Sequence, residues 1–112
     1  MKYEPIKKYS NEEITHILEN GTNDDLKLLS MSVGEYSADW KFAQGVCLRL
    51  LQTDNSEIRA NAILGLSYIA RVHRMLDRKI VEPFIEKEIK TNRDYHERVQ
   101  YAAEDIYLFM NW

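Results

Sequence analysis

An all-α fold of about six antiparallel helices is predicted by three features of the 112-residue chain. The first is the stretch 54–76, DNSEIRANAILGLSYIARVHRML. It opens on a helix-start signal and runs for about five turns without proline. It is apolar on so many sides that it needs neighbours on more than one flank. The second is punctuation: helix-start and helix-stop residues divide the remaining chain into short amphipathic segments joined by a few residues each. Connections that short make consecutive helices pack antiparallel. The third is an internal echo. Ile58-Arg59, Ala62, Leu66 and Ile69 are answered 41 residues later by Val99-Gln100, Ala103, Tyr107 and Met110. A helix-pair repeat of about 40–47 residues is the signature of a stacked α-solenoid. Helices three and four form one unit and five and six the next, whereas the first two show no register with it. No segment alternates as a half-buried strand does.

In order, residues 1–9 read as an extended lead, because Pro5 disfavours helix there. Ser10-Asn-Glu-Glu13 is a capping box. Ile14, Ile17 and Leu18 follow as one short apolar stripe, and Asn20-Gly21 reads as a left-handed cap. Thr22-Asn-Asp-Asp25 starts a second helix with Leu26, Leu28, Leu29, Met31 and Val33, and Gly34 is expected to stop it. Ser37-Ala38-Asp39 caps a third, Trp40 to Gln52, whose apolar set is Trp40, Phe42, Ala43, Val46, Cys47, Leu50 and Leu51.

The fourth helix is the central one. Ile58, Ala62, Gly65, Leu66, Ile69 and His73 form its inward stripe, which Ala60, Ile63, Leu64, Ser67 and Ala70 widen. Glu57, Asn61, Tyr68, Arg71 and Arg74 are left to face out. Its small residues let neighbouring helices approach closely. Asp77 begins the fifth, with Ile80, Val81, Phe84, Ile85 and Ile89 inward. Pro83 lies several residues in, so this helix is either kinked there or starts near Glu82. Asp94 with Glu97 caps the sixth, which carries Val99, Ala102, Ala103, Ile106 and Met110 inward. The whole, 1–112, reads as one domain.

Composition narrows the function classes. No apolar run approaches the roughly 20 residues that span a bilayer, and the start, MKYEPIKKYS, lacks the apolar core of a secretory signal. Cys47 is the one cysteine, so neither a disulfide framework nor a cysteine zinc site is available. A reduced, cytoplasmic protein is expected. The net charge of −3 is unevenly spread: residues 1–39 hold eight carboxylates against four lysines, and residues 40–112 hold ten against eleven bases. An acidic N-terminal third suits a basic partner, although a solvated face explains it equally well.

The motif Asp54-x-x-Glu57-Ile58-Arg59-x-x-Ala62-x-x-x-Leu66 resembles the second helix of HEAT repeats, and Pro83 resembles the proline that often bends their first helix. The resemblance spans about residues 40–110, with Gln100 in place of the arginine in the second copy. More narrowly, DWKFAQGVCLRLL followed by IRANAILGLSYIARVHRMLD is similar to a group of small bacterial HEAT-like proteins, in which the segment reads close to ILGLGHIARIHGKLD. This chain departs from that at Ser67-Tyr68 and Arg74-Met75. Immunity proteins of contact-dependent growth inhibition and related toxin systems are associated with this group. The resemblance implies a HEAT-like α-solenoid that binds and neutralises a bacterial toxin domain, with a basic nuclease as the expected partner. A general HEAT-like adaptor or regulatory subunit is the alternative.

The residues themselves argue against catalysis. His16, His73 and His96 are scattered without metal-ligand spacing, and His96-Glu97 lacks the second histidine of a zincin. His73 on an inward stripe and Cys47 among apolar neighbours read as packed side chains. No glycine-rich phosphate loop exists, and paired carboxylates such as Glu12-Glu13, Asp24-Asp25 and Glu104-Asp105 read as first-turn or surface acids. A non-enzyme without metal or cofactor is expected. Arg71, Arg74, Arg78 and Lys79 crowd one turn, but Asp77 interrupts them and the net charge is negative, so nucleic-acid binding is disfavoured. Cations near a helix C-terminus also stabilise its dipole.

The predicted partner-binding side is built from the second helix of each pair and the turn before helix three. It comprises Asn61, Tyr68 and Arg71 from helix four and Tyr101, Glu104, Asp105 and Leu108 from helix six. Glu35, Tyr36, Asp39 and Trp40 form one rim. Tyr and Trp beside acids are typical interface anchors, and Trp40 and Tyr68 are the expected ones.

Overall fold

The computed structural model describes residues 6–112; Pro5 and the start of the lead lie outside them. Six helices follow in order: α1 (Asn11–Asn20), α2 (Asn23–Tyr36), α3 (Trp40–Leu50), α4 (Ser56–His73), α5 (Arg78–Thr91) and α6 (His96–Met110). Strands are absent among the described residues. The all-α reading stands.

Capping explains most of the boundaries. Ser10 Oγ accepts the Glu13 amide at 3.1 Å and Glu13 Oε1 accepts the Ser10 amide at 3.0 Å. Thr22 and Asp25 make the same reciprocal pair at the start of α2, and Asp39 and Asn55 cap α3 and α4 by accepting two amides each. Four expectations are corrected. Gly21 is extended, at φ −71° and ψ 155°, not left-handed; a side chain there would meet the Ile17 carbonyl oxygen at 2.6 Å. The left-handed caps are Arg74 after α4 (φ 55°) and Asn111 after α6 (φ 57°). Gly34 does not end α2, which continues to Tyr36. The fifth helix begins at Arg78 and runs through Pro83, so Glu82 is not its start. Asp94 and Glu97 do not cap α6: Tyr95 holds the N-cap position without a side-chain cap bond. There Asn92 Oδ1 accepts the Tyr95 amide, while Asp94 accepts from Ser56 Oγ on α4.

Helix α4 packs mainly between α2 and α6, and side-chain links give the directions. Lys27 and Ser30 of α2 meet Glu57 and Asn61 of α4, and further along Glu35 meets Arg71; α2 and α4 therefore run parallel. Arg98 meets Glu57 and Asn61 at one end of α6, and Arg74 reaches the Phe109 carbonyl at the other. So α6 is parallel to α4 as well. By contrast, Arg59 pairs with Glu88 near the end of α5, and Tyr107 bonds Glu86 while Arg78 lies over Trp112. These contacts run α5 antiparallel to both. Helices α2, α4 and α6 thus form one parallel layer, and α1, α3 and α5 back it.

The two layers enclose Leu29, Val33, Ala43, Val46, Cys47, Leu50, Ile58, Ala62, Leu66, Ile69, Val81, Ile85, Ala103 and Ile106. The parallel layer is drawn tight where Gly34 and Gly65 cross: a Cβ on Gly65 would meet the Ser30 carbonyl oxygen at 2.5 Å, and one on Gly34 would meet the Gly65 oxygen at 2.6 Å. That backbone-to-backbone approach is why a glycine stands inside α2, where it costs about 1 kcal/mol relative to alanine. The extents, 32 × 30 × 29 Å, are nearly equal, so the two three-helix layers make a compact body.

Polar groups inside are satisfied. Glu88 is 2% exposed and accepts from Arg59 Nε at 3.2 Å and Asn92 Nδ2 at 3.1 Å. Asn61 is 5% exposed and donates to the Lys27 carbonyl at 2.7 Å while accepting from Arg98 at 2.7 Å. The expectation that Asn61 faces a partner is corrected: its amide ties the three parallel helices together. Ile80, expected inward, is half exposed beside Lys41 and Lys79.

Candidate protein-binding face

The side of the parallel layer turned away from α1, α3 and α5 is the candidate. Helical spacing places Asp24, Leu28, Met31 and Glu35 of α2 there. Next to them come Glu57, Leu64, Tyr68, Arg71 and Val72 of α4, with Met75 just past its end, then Glu97, Tyr101, Glu104, Asp105 and Leu108 of α6. Its apolar members lack the cover that the other side of each helix has. Leu108 is 74% and Tyr101 70% exposed, and Leu28, Val72 and Met75 are about half exposed.

Charges on this face are sorted by end. Toward the starts of the helices, Lys27 bridges Asp24 at 3.3 Å and Glu57 at 3.1 Å, and Arg98 lies 3.6 Å from Glu57. Hydrogen bonding to Glu57 and then Asp24 raises the Lys27 pKa. Toward the ends, Arg71 pairs with Glu35 at 3.0 Å and its guanidinium lies 4.9 Å over the Tyr68 ring. Arg74 donates to the Phe109 carbonyl and lies 5.1 Å over that ring. Helix α6 differs: Glu97 and Asp105 are exposed, and Glu104 accepts only from Gln100, at 3.2 Å.

The predicted residues therefore divide. Tyr68, Arg71, Glu35, Tyr101, Glu104, Asp105 and Leu108 share the face. Tyr36, at the rim, is 45% exposed and donates its hydroxyl to the Ile6 carbonyl at 3.2 Å, so the N-terminal segment crosses this edge. Asp39 is occupied as the α3 cap. Trp40 is only partly exposed, with Lys41 5.6 Å over its ring. Leu28, Met31, Val72 and Met75 were not anticipated on the face; Leu28 and Met31 stand at the 24/28/31/35 spacing, which becomes readable once α2 passes through Gly34.

Among the described residues, no group of three or more His, Cys, Asp or Glu side chains is placed to hold a metal ion. His73 Nε2 donates to the Ser37 carbonyl at 2.9 Å, pinning the α2–α3 turn to the end of α4. Burial pushes the Cys47 thiol pKa up, away from the thiolate that nucleophilic chemistry needs. Tyr107 is also raised, by burial and then by its bond to Glu86. Among the described residues, no helix is long and apolar enough to cross a membrane.

The same fold occurs in a known complex. The chain superimposes on one from the crystal structure of a CDI complex from Cupriavidus taiwanensis LMG 19424, with a TM-score of 0.83 over 97% of each chain and 22% sequence identity. At that coverage the likeness takes in the helical fold as a whole. No protein-family model matches the chain, and no curated protein matches its sequence.

Proposed function

We propose that this protein is a non-catalytic immunity protein that binds and neutralises a toxin domain of a contact-dependent growth inhibition system, the toxin being a nuclease. The observation that carries the reading is the near end-to-end likeness to a chain from a CDI complex. The open face supports it: one side of the parallel layer carries uncovered Tyr101, Leu108, Leu28 and Met75 together with exposed acids. A nuclease grips phosphate with basic residues, and an acidic, partly apolar surface can cover them. The three helix pairs are read as HEAT-like units with α2, α4 and α6 as the second helix of each. No cofactor is required, and the protein works in the cytoplasm, where a nuclease would find its substrate.

The experiment is a protection assay. The gene upstream is read first; where it encodes a large secreted protein, the C-terminal toxin domain of that protein is expressed in a sensitive strain with and without this chain. Growth restored by the chain, with the two proteins co-purifying, supports the proposal. Unrelieved toxicity with no co-purification rejects it, and an upstream gene for a metabolic enzyme would favour the adaptor reading.

A further inference from the structure

We infer that α6 is the principal recognition element, with Tyr101 and Leu108 as its anchors, and that its occupant is a basic protein surface with two apolar recesses; this rests on the immunity reading. Tyr101 and Leu108 are the two most exposed large apolar side chains of the described residues, at 70% and 74%. They stand seven residues apart, two turns of helix, on one line. That separation is about 10 Å along the axis, which fixes the spacing of the recesses.

The surroundings decide the chemistry of the partner. Glu97, Glu104 and Asp105 flank the two anchors, all exposed and, among the described residues, none in an ion pair. No cation lies on the exposed line of α6, since Arg98 is turned toward Glu57 and Asn61 of α4. Elsewhere on the face the cations are engaged: Lys27 with Asp24 and Glu57, Arg71 with Glu35, and Arg74 with Phe109. The strip is thus the part of the face where negative charge is left without an internal partner, and a basic surface complements it. A second copy fits poorly, because α6 against α6 about a two-fold axis would set these acids against their own images. Trp40 and Tyr68 are weaker anchors: Trp40 is partly buried, and the Tyr68 ring already carries the Arg71 guanidinium at 4.9 Å.

The probe is the purified cognate toxin domain, the one whose toxicity this chain relieves in the protection assay. Tyr101→Ala with Leu108→Ala should weaken binding by at least about 30-fold while leaving the melting curve unchanged, because neither side chain is in the core. Glu97→Lys with Glu104→Lys and Asp105→Lys should slow association about 10-fold at low salt, with the difference shrinking as salt rises. Ile80→Ala and Glu12→Lys with Glu19→Lys, off this face, should bind as the parent does. If the parent binds and the α6 variants bind equally well, the assignment to α6 is overturned and the immunity reading survives. If the parent does not bind at all, both fall. Concentration-dependent dimers of the parent that Leu108→Ala dissolves would replace the basic partner with a second copy.

Discussion

Replacing Gly65 by alanine tests whether α2 and α4 truly meet backbone to backbone. The added Cβ would stand 2.5 Å from the Ser30 carbonyl oxygen, and 2.8 Å from both the Ser30 carbonyl carbon and Cβ. Ordinary contact begins near 3.4 Å, so the helices must separate by roughly 0.6–0.9 Å there. No flexible side chain can yield instead, since two of the three atoms are backbone. Separation also strains the Ser30 Oγ bond to the Asn61 carbonyl and the Asn61 bond to the Lys27 carbonyl, both 2.7 Å. Overpacking costs about 1–3 kcal/mol, and this contact belongs at the upper end; alanine returns about 1 kcal/mol of helix propensity. The net is about 2 kcal/mol of destabilisation, or a Tm lower by roughly 8 °C or more. Gly45→Ala is the matched control, because a Cβ there meets nothing within 4 Å; it should raise stability by up to ~1 kcal/mol. Circular-dichroism melts of the two variants beside the parent are the assay. A Gly65→Ala protein melting at or above the parent would falsify the close-crossing account.

Arg59→Ala should lower stability by about 3 kcal/mol in urea unfolding, since it leaves the buried Glu88 side chain with only Asn92 as a side-chain partner; a loss below about 1 kcal/mol would mean that Glu88 does not depend on Arg59. Glu13 has its pKa lowered by the Ser10 backbone amide, so its contribution is present above the ordinary carboxylate value of 4.5 and is lost as pH falls through the lowered one. The stability gap between parent and Glu13→Gln should therefore close on acidification, and a gap that stays constant with pH would contradict the assignment. Cys47, fully buried with its pKa raised, should react with a thiol reagent only at the rate of unfolding; rapid labelling of the folded protein would refute its packed position.

Local chemistry made much of the helix pattern readable. The capping boxes at Ser10 and Thr22 and the caps at Asp39 and Asn55 are short-range signals, and the structure uses each of them. The 41-residue echo is matched in burial at Ile58 and Val99 and at Ala62 and Ala103, whereas Tyr107 and Met110 are only partly buried where Leu66 and Ile69 are fully so. What sequence could not supply was tertiary context. Gly34 reads as a stop because glycine weakens an isolated helix; only its crossing with Gly65 shows why the helix continues. Asn61 reads as an outward polar residue until Lys27 and Arg98, from helices distant in sequence, close around it. Asp94 and Glu97 have the spacing of a cap, but Ser56 of α4 takes Asp94 instead. The acids and aromatics of the candidate face were readable as residue types. Which were free and which already engaged was not, since that depends on contacts such as Arg71 over Tyr68.

The central claim, stoichiometric neutralisation without catalysis, is tested most directly by titrating this protein into a fixed amount of the cognate toxin domain while following nuclease activity. The account predicts a linear fall that reaches zero at one chain per toxin, with no dependence on preincubation time. Inactivation by a few per cent of an equivalent that deepens with time would show an enzyme, and undiminished nuclease activity at a large excess would show that this toxin is not its partner.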